Sequence, residues 1–320
     1  MPREPRISLP GHIHHVMSHA VEGIDFFRDE GDMEYLLNKM GKVLKESDCE
    51  CYGFALMGNH FHFILRPNSI SLSNIMQRVN GSFATYYNRK YQRKGYVYRE
   101  RFKSVLAQEY YYIRELIRYV HLNPLRANVC TSFPELAHYA WSGHACVMGH
   151  QKRDWVSVEN ILAKFSNEFQ QARELYLEWM VKGNGVNADI WNSRGLFAPA
   201  NEEDVKLFND KRVKGDAEYV RSALEHVKKT KDVLIKNIMN RPELPDLLNI
   251  FCKRIKIPPE TIFKTGQKGK CGITYARSDF CKQAVYKYGY TLAKTADFLG
   301  INASSVLRLL RRNQQILPNL

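Results

Sequence analysis

His60 and His62 stand one residue apart in the run GNHFHFIL, Gly58 to Leu65. Side chains on a strand alternate faces, so His60, His62 and Ile64 share one face and Phe61, Phe63 and Leu65 the other. One face is apolar and can cover a core. The other carries two imidazoles close enough to bind one divalent ion. The competing reading is a pair of ordinary histidines on a half-exposed strand. Two imidazoles do not fill the coordination sphere of Mg²⁺ or Mn²⁺, so an oxygen ligand is wanted. The segment YYYIRELIRYVHL, Tyr110 to Leu122, reads as a helix. On it Tyr112, Glu115, Tyr119 and Asn123 share a face at three- and four-residue spacing. Ile113, Leu116, Ile117 and Val120 form the opposite face and suit a sheet. Packed across the histidine strand, such a helix could present Tyr119 and Asn123 together to one site.

The elements that must position these groups follow from periodicity and caps. HIHHVMS, residues 12–18, predicts a first strand. In MEYLLNKMGKVLKE the apolar positions 33, 36, 37, 40, 43 and 44 predict a helix over Met33 to Glu46, with Asp32 as its N-cap. CYGFALM and the histidine run predict strands over 50–57 and 60–66, joined as a hairpin at Gly58-Asn59. Ser73 is placed to cap the helix NIMQRVNGSFATYYNRKYQ, and Phe102 to Gln108 predicts a further strand. The helix 110–122 is expected to stop before Pro124, because the residue preceding proline disfavours the helical region. The order β-α-β-β-α-β-α predicts an α+β fold, with an antiparallel sheet and helices packed on one face.

From Val156 the character changes. VENILAKF, NEFQQARELYLEWMVK and AEYVRSALEHVKKTKDVLIKNIM read as helices, interrupted at Gly183, Gly185 and around Pro199. This stretch predicts an all-α connecting domain and shows no recognisable chemistry. A third unit begins near residue 241, so the expected domains are 1–150, 151–240 and 241–320.

Composition bounds the function. Hydrophobic residues make up 44% and charged ones 25% of 320 residues, as in ordinary globular proteins. No apolar run is long enough for a membrane span, and MPREPRISLPG has no hydrophobic signal core, so a cytoplasmic location is expected. The seven cysteines form no C-x-x-C pair, and Cys49 and Cys51 are too close for a normal bridge. Reduced thiols are expected, and a cysteine zinc site is not. The net charge is +14. It is concentrated in two places: residues 78–126 hold 11 basic and 3 acidic side chains, and residues 240–320 hold 14 and 5. Two separate basic surfaces suggest a polyanion bound at two sites, against the plainer reading of a basic face kept for solubility. In the first segment Arg78, Arg89, Lys90, Arg93, Lys94, Arg99, Arg101 and Lys103 interleave with Tyr86, Tyr87, Tyr91, Tyr96 and Phe102. Charges track phosphates and rings stack on unpaired bases, which suits single-stranded or hairpin DNA. Arg126 is a further candidate for the backbone. His121 lies well around its helix from Tyr119 and reads as a surface or DNA-contact residue.

Four pieces in this order resemble one family: PREPRISLPGHIHHV (Pro2 to Val16), FALMGNHFHFIL (Phe54 to Leu65), YRERFKSVL (Tyr98 to Leu106) and RYVHLNPLRANV (Arg118 to Val129). The chain to about Gly149 resembles the single-tyrosine HUH transposases, most nearly the REP-associated tyrosine transposases. SHAVEG, Ser18 to Gly23, departs from the Arg-Gly-Asn run of many relatives. The resemblance implies a ferredoxin-like HUH nuclease fold and a divalent metal, Mg²⁺ or Mn²⁺, held by His60 and His62 and completed by Asn123. It implies that Tyr119 is the nucleophile, forming a 5′-phosphotyrosine. It implies cleavage and rejoining of single-stranded or hairpin DNA of repetitive palindromic elements, by a bacterial, nucleoid-associated protein.

The piece TLAKTADFLG-INA-SSVLRLLRRN has helix-turn-helix form, with Ala293, Ala296 and Leu299 as one stripe, Gly300 at the turn, and Val306, Leu309 and Leu310 as the next. It resembles the DNA-binding domain of bacterial replication initiators, whose recognition helix opens with an Asp-His-Thr-Thr-Val-like run. Here the run is Asn302-Ala303-Ser304-Ser305-Val306. Duplex DNA binding through Arg277, Ser304, Ser305, Arg308, Arg311 and Arg312 is expected. Two alternatives remain open at this stage: a non-catalytic DNA-binding regulator that keeps the fold, and a nicking enzyme that initiates replication. Monomer or homodimer, and a tyrosine helix supplied in cis or by a partner, are likewise open.

Overall fold

The computed structural model describes residues 6–184, 208–263 and 271–310. Arg311, Arg312, Gly185 and the break around Pro199 lie outside the described residues. Contacts divide the chain into two compact units, 1–224 and 225–320.

The first unit is built on β1 (Ile13–His19), α1 (Glu30–Glu46), β2 (Cys49–Met57), β3 (His60–Pro67), α2 (Leu72–Lys90), β4 (Lys103–Ala107) and α3 (Glu109–Arg126). Shorter helices follow: α4 (Phe133–His138), α5 (Gly143–Met148), α6 (Val158–Leu162) and α7 (Phe169–Lys182). A two-residue strand β5 (Val213–Lys214) precedes the long helix α8 (Ala217–Met239). The sheet order is β2-β3-β1-β4-β5. The first four strands pair antiparallel, while β5 runs parallel to β4. The expected α+β class holds, with a mixed sheet of five strands in place of a wholly antiparallel one. The segment after 151 is therefore not all helical.

The register decides which side chains meet. In the β1–β3 pair His19 stands opposite His60, Met17 opposite His62 and His15 opposite Ile64. Across β2 and β3, Ala55 meets His62 and Phe54 meets Phe63. Because faces alternate, His15, His19, His60 and His62 fall on one face, and His14, Phe54, Phe61 and Phe63 on the other. Helices cover both faces, which corrects the expectation of one. On the phenylalanine face, Phe26 packs against Phe61 and Phe83 of α2, and Trp155 packs against Phe54 and Phe63 beside Gly41 of α1. On the histidine face lies α3. The cause is that β3 is buried along almost its whole length, with Phe61, His62, Phe63, Ile64 and Leu65 all below a tenth exposed. A strand buried on both sides needs a layer on each.

Local details differ from the sequence reading. Helix α1 starts a turn early, capped by Asp29, whose carboxylate accepts the Asp32 N–H. Asp32 is instead wholly buried and accepts from the Arg28 N–H, the Tyr91 hydroxyl and the Lys90 ammonium. Ser71, not Ser73, caps α2. Helix α3 runs through Pro124 to Arg126. Proline there removes one N–H in the last turns, and Ala127 and Val129 still donate to Asn123 and Pro124, so the turn closes around the loss.

Residues beyond 150 share the sheet's core. Ile161, Leu162, Ala172, Tyr176 and Met180 join the same buried cluster as the strands. Gln108 at the end of β4 also bonds Asp216 through both its side-chain ends. The core therefore does not close at the boundary expected near 150. The second unit contains α9 (Leu244–Ile255), α10 (Glu260–Phe263), α11 (Cys271–Lys282, continued as a π turn over Gln283–Lys287), α12 (Leu292–Leu299) and α13 (Ala303–Leu310). Leu248, Phe251, Phe280, Ala296, Leu299, Val306 and Leu309 form its core. Gly300 adopts φ 63° and closes α12. Ala293, expected on the apolar stripe, is exposed, and Thr295 is buried in its stead. The six cysteines whose side chains are described are free and buried. No helix among the described residues is long and apolar enough to cross a membrane.

Gly41 generates one test of the packing. A methyl there would lie 2.3 Å from a Trp155 ring carbon, and that ring packs against Phe54 and Phe63. Gly41→Ala is expected to destabilise the fold by about 1–3 kcal/mol, as overpacked cores do, read as a lower urea midpoint.

Candidate functional site

The histidine face carries more imidazoles than the sequence reading found. His15 Nε2 and His62 Nδ1 are 2.7 Å apart, their rings stacked at 4.9 Å. His19 stacks on His60 at 5.1 Å, and His60 meets His62 edge-on at 5.3 Å. His15 and His19 were legible as a two-residue period in HIHHVMSH. What the sequence did not carry was the register that sets them beside β3.

Burial keeps these rings neutral. It pushes His15 down to about 3 and His60 to about 4, the latter helped by His19. His62 is held well below the usual range by burial first, then by its histidine neighbours. Neutral imidazoles are the form that ligates metals. The hydrogen bonds select the nitrogen. His60 Nδ1 donates to the Asn59 side-chain oxygen 2.7 Å away, which leaves Nε2 with its lone pair. In the tautomer where His62 Nδ1 donates to His15, the Nε2 of His62 is likewise left as a ligand. His15 would then orient a ligand from behind, the arrangement common around bound metals.

Helix α3 brings Tyr119 to this cluster. Its ring meets His15 edge-on at 5.6 Å and His62 at 5.9 Å. Asn123, one turn on, donates Nδ2–H to the Tyr119 carbonyl at 3.0 Å, which leaves its Oδ1 as the ligand-type atom. Arg126 sits over the Tyr119 ring at 5.6 Å, its guanidinium pKa lowered by burial. Among the described residues no three His, Cys, Asp or Glu side chains are grouped to hold a metal. The expected set draws only two members from those types and takes an amide as its third, and the donors present fit that set. Tyr112, expected beside Tyr119 on the open face, is buried in the core. Other tyrosines of the same basic segment are placed elsewhere: Tyr86 stacks on Tyr35, Tyr87 donates to the Asp25 carbonyl, and Tyr110 and Tyr111 pack on each other.

His121 is corrected from a surface residue to a wholly buried one. Its Nδ1 lies 2.9 Å from the Tyr176 hydroxyl, and His144 Nδ1 lies 2.6 Å from the same oxygen. A phenol has one proton, so Tyr176 donates to one imidazole and accepts from the other. Gly53 and Gly143 make the room, since a methyl on either would come within 2.7 and 2.6 Å of His121 Nε2. This triad ties α3 to α5, α7 and β2, two residues from both Tyr119 and Asn123.

The expected phosphate contacts sort into two groups. Arg78 pairs with Glu46, Lys90 with Asp29 and Asp32, and Arg93 lies over Tyr87. Arg89, Lys94, Arg99, Arg101 and Lys103 are exposed, Lys103 beside Glu100. In the second unit Arg277 donates to the Ile262 carbonyl, and Asn302 caps α13 by accepting the Ser305 N–H. Ser304 and Arg308 are exposed there, with Arg308 donating to the Ser305 hydroxyl.

Residues 10–123 match the family model described as "Transposase IS200 like", the segment that carries every group of the histidine and tyrosine cluster. No curated protein matches the chain. A solved structure described as "Structure of the REP associates tyrosine transposase bound to a REP hairpin" aligns at 16% identity and TM-score 0.39, covering 49% of this chain and 92% of that one.

The buried imidazoles set an acid limit on stability. Burial pushes His14 to about 4 and His15 and His144 to about 3, and it holds His62 and His121 well below the usual range. Unfolded, each takes a proton near the ordinary imidazole value of 6.5, so below that pH the unfolded state binds more protons and stability falls with pH. Urea midpoints measured from pH 7 down to 4 are expected to drop steadily below about pH 6.5. Tyr176→Phe removes the shared hydroxyl and should cost about 1–3 kcal/mol at pH 7.

Proposed function

We propose that this chain cuts and rejoins DNA strands as a metal-dependent single-tyrosine transposase, with Tyr119 as nucleophile and His60, His62 and Asn123 as metal ligands. The contact of the Tyr119 ring with His15 and His62, on the face that also carries His60, is the observation that supports it most. A regulator without catalysis has no use for a tyrosine held against buried neutral histidines. The family match over residues 10–123 supports transposase-type DNA processing.

The chemistry follows from the residues. The Tyr119 oxygen attacks phosphorus, the phenol loses its proton, and a Tyr–O–P bond forms as the P–O3′ bond breaks. The departing 3′ oxygen takes up a proton, leaving a free 3′-OH and a 5′-phosphotyrosine. Attack by a 3′-OH reverses the step, so the bond energy is kept for rejoining. His60, His62 and Asn123 would hold a divalent ion, which when bound would neutralise charge developing on the phosphate. Arg126, beside the Tyr119 ring, favours the tyrosinate.

The substrate proposed is single-stranded or hairpin DNA of repetitive palindromic elements, its backbone followed by Arg89, Lys94, Arg99, Arg101 and Lys103. For the second unit we propose a helix-turn-helix that binds duplex through α13, with Ser304 and Arg308 toward the DNA.

Incubation with labelled single-stranded DNA and Mg²⁺ or Mn²⁺ should yield a covalent protein–DNA adduct. Tyr119→Phe keeps the ring and should bind DNA normally while forming no adduct. His60→Ala with His62→Ala should abolish metal-dependent cleavage, and Asn123→Ala should leave partial activity that more metal restores. An adduct mapped by mass spectrometry to Tyr86, Tyr87 or Tyr110 to Tyr112 would overturn the assignment of the nucleophile.

A further inference from the structure

The loop between α2 and β4 holds an aromatic ring in water. Tyr96 is 88% exposed. Its neighbours are firmly anchored: Val97 is buried, and Tyr98 packs its ring on Phe26 at 5.0 Å. The backbone around it is braced as well. Asn88 donates its side-chain N–H to the Gly95 carbonyl, and Val21 N–H donates to the Val97 carbonyl. Arg99 N–H donates to the carbonyl of His19, whose ring is stacked on His60. Gly95 turns the chain with φ +105°. Thus the loop is pinned to the strand end that carries the histidine cluster, and its one outward ring stands on a built support.

The other rings of this basic segment are engaged within the protein. Tyr86 stacks on Tyr35, Tyr87 is buried beneath Arg28 and Arg93, Tyr91 donates to Asp32, and Phe102 lies under Arg6. The stacking face expected of five rings therefore narrows to Tyr96. Lys94, Arg99 and Arg101, close on either side of it in the chain, are exposed cations. A flat ring beside cations is the combination that receives an unpaired base while its phosphates are neutralised.

We propose that Tyr96 is a base-stacking post, taking one unpaired nucleotide of a DNA strand at the rim of the histidine site. This deepens the reading of the chain as a single-strand DNA enzyme and rests on it. Any base can stack, so the post sets where a strand is gripped and leaves its sequence to other contacts.

Binding of the full chain to a fluorescent single-stranded oligonucleotide, measured in EDTA, tests it apart from catalysis. Tyr96→Ala should weaken binding about 5- to 150-fold, the range of base–aromatic stacking. Tyr96→Phe should bind as wild type, and so should Tyr110→Ala, which removes a comparably exposed ring at the start of α3. In an abasic scan, one position should reproduce the loss in wild type and add nothing in Tyr96→Ala. Wild-type affinity in Tyr96→Ala, equal losses in Ala and Phe, or independent losses at every abasic position would each overturn the stacking post. The adduct assay, run in parallel on wild type with metal, separates that failure from failure of the enzymatic reading.

Discussion

The first unit depends on one constraint: a sheet face lined with imidazoles has been roofed by a helix. Polar groups taken out of water must find partners, or the fold loses what burial gains. His15 and His62 pair with each other, His60 turns to Asn59, and His121 and His144 share the Tyr176 hydroxyl through Nδ1 while their buried Nε2 atoms stay without a partner. Each solution fixes a ring's orientation. These bonds therefore present defined nitrogens on the side where the Tyr119 ring packs.

Helix α3 is held from two directions. Ile113, Leu116, Ile117 and Val120 press it onto the sheet, while His121 reaches sideways between two glycines to Tyr176. Apolar packing alone tolerates small rotations and slips. A directional bond at His121, flanked by Tyr119 and Asn123, tolerates much less, which suits the in-line attack proposed for Tyr119. The distant segment around Tyr176, silent in the sequence, thereby bears on the geometry of the site.

Most of the fold was legible because alternation and caps are local signals. The hairpin at Gly58-Asn59, the strands and the three long helices of residues 13–126 stand within a few residues of their expected bounds. The pairing of Tyr119 with the His62 strand was legible from helix-face arithmetic and from the four ordered motifs. What escaped depended on distance in the chain. Register brought His15 and His19 in, and a partner 55 residues away turned His121 inward. Asp32 looked like a cap because it is acidic and precedes an apolar stripe, yet Asp29 takes that role and Asp32 becomes a buried acceptor. Pro124 looked like a stop, but one missing N–H in the last turns is a small loss to a helix already packed along its length.

The two-residue strand β5 has a consequence in time. It pairs with β4 across a separation of more than a hundred residues, and Asp216 and Gln108 seal the contact. Until that stretch leaves the ribosome, β4 offers an open edge, the kind of surface on which nascent strands misassociate. So late a closure raises the contact order and slows the final step of folding. The exposed cations Arg99, Arg101 and Lys103, just before and at the start of β4, are of one sign, and like charges on an edge disfavour its pairing with a second chain.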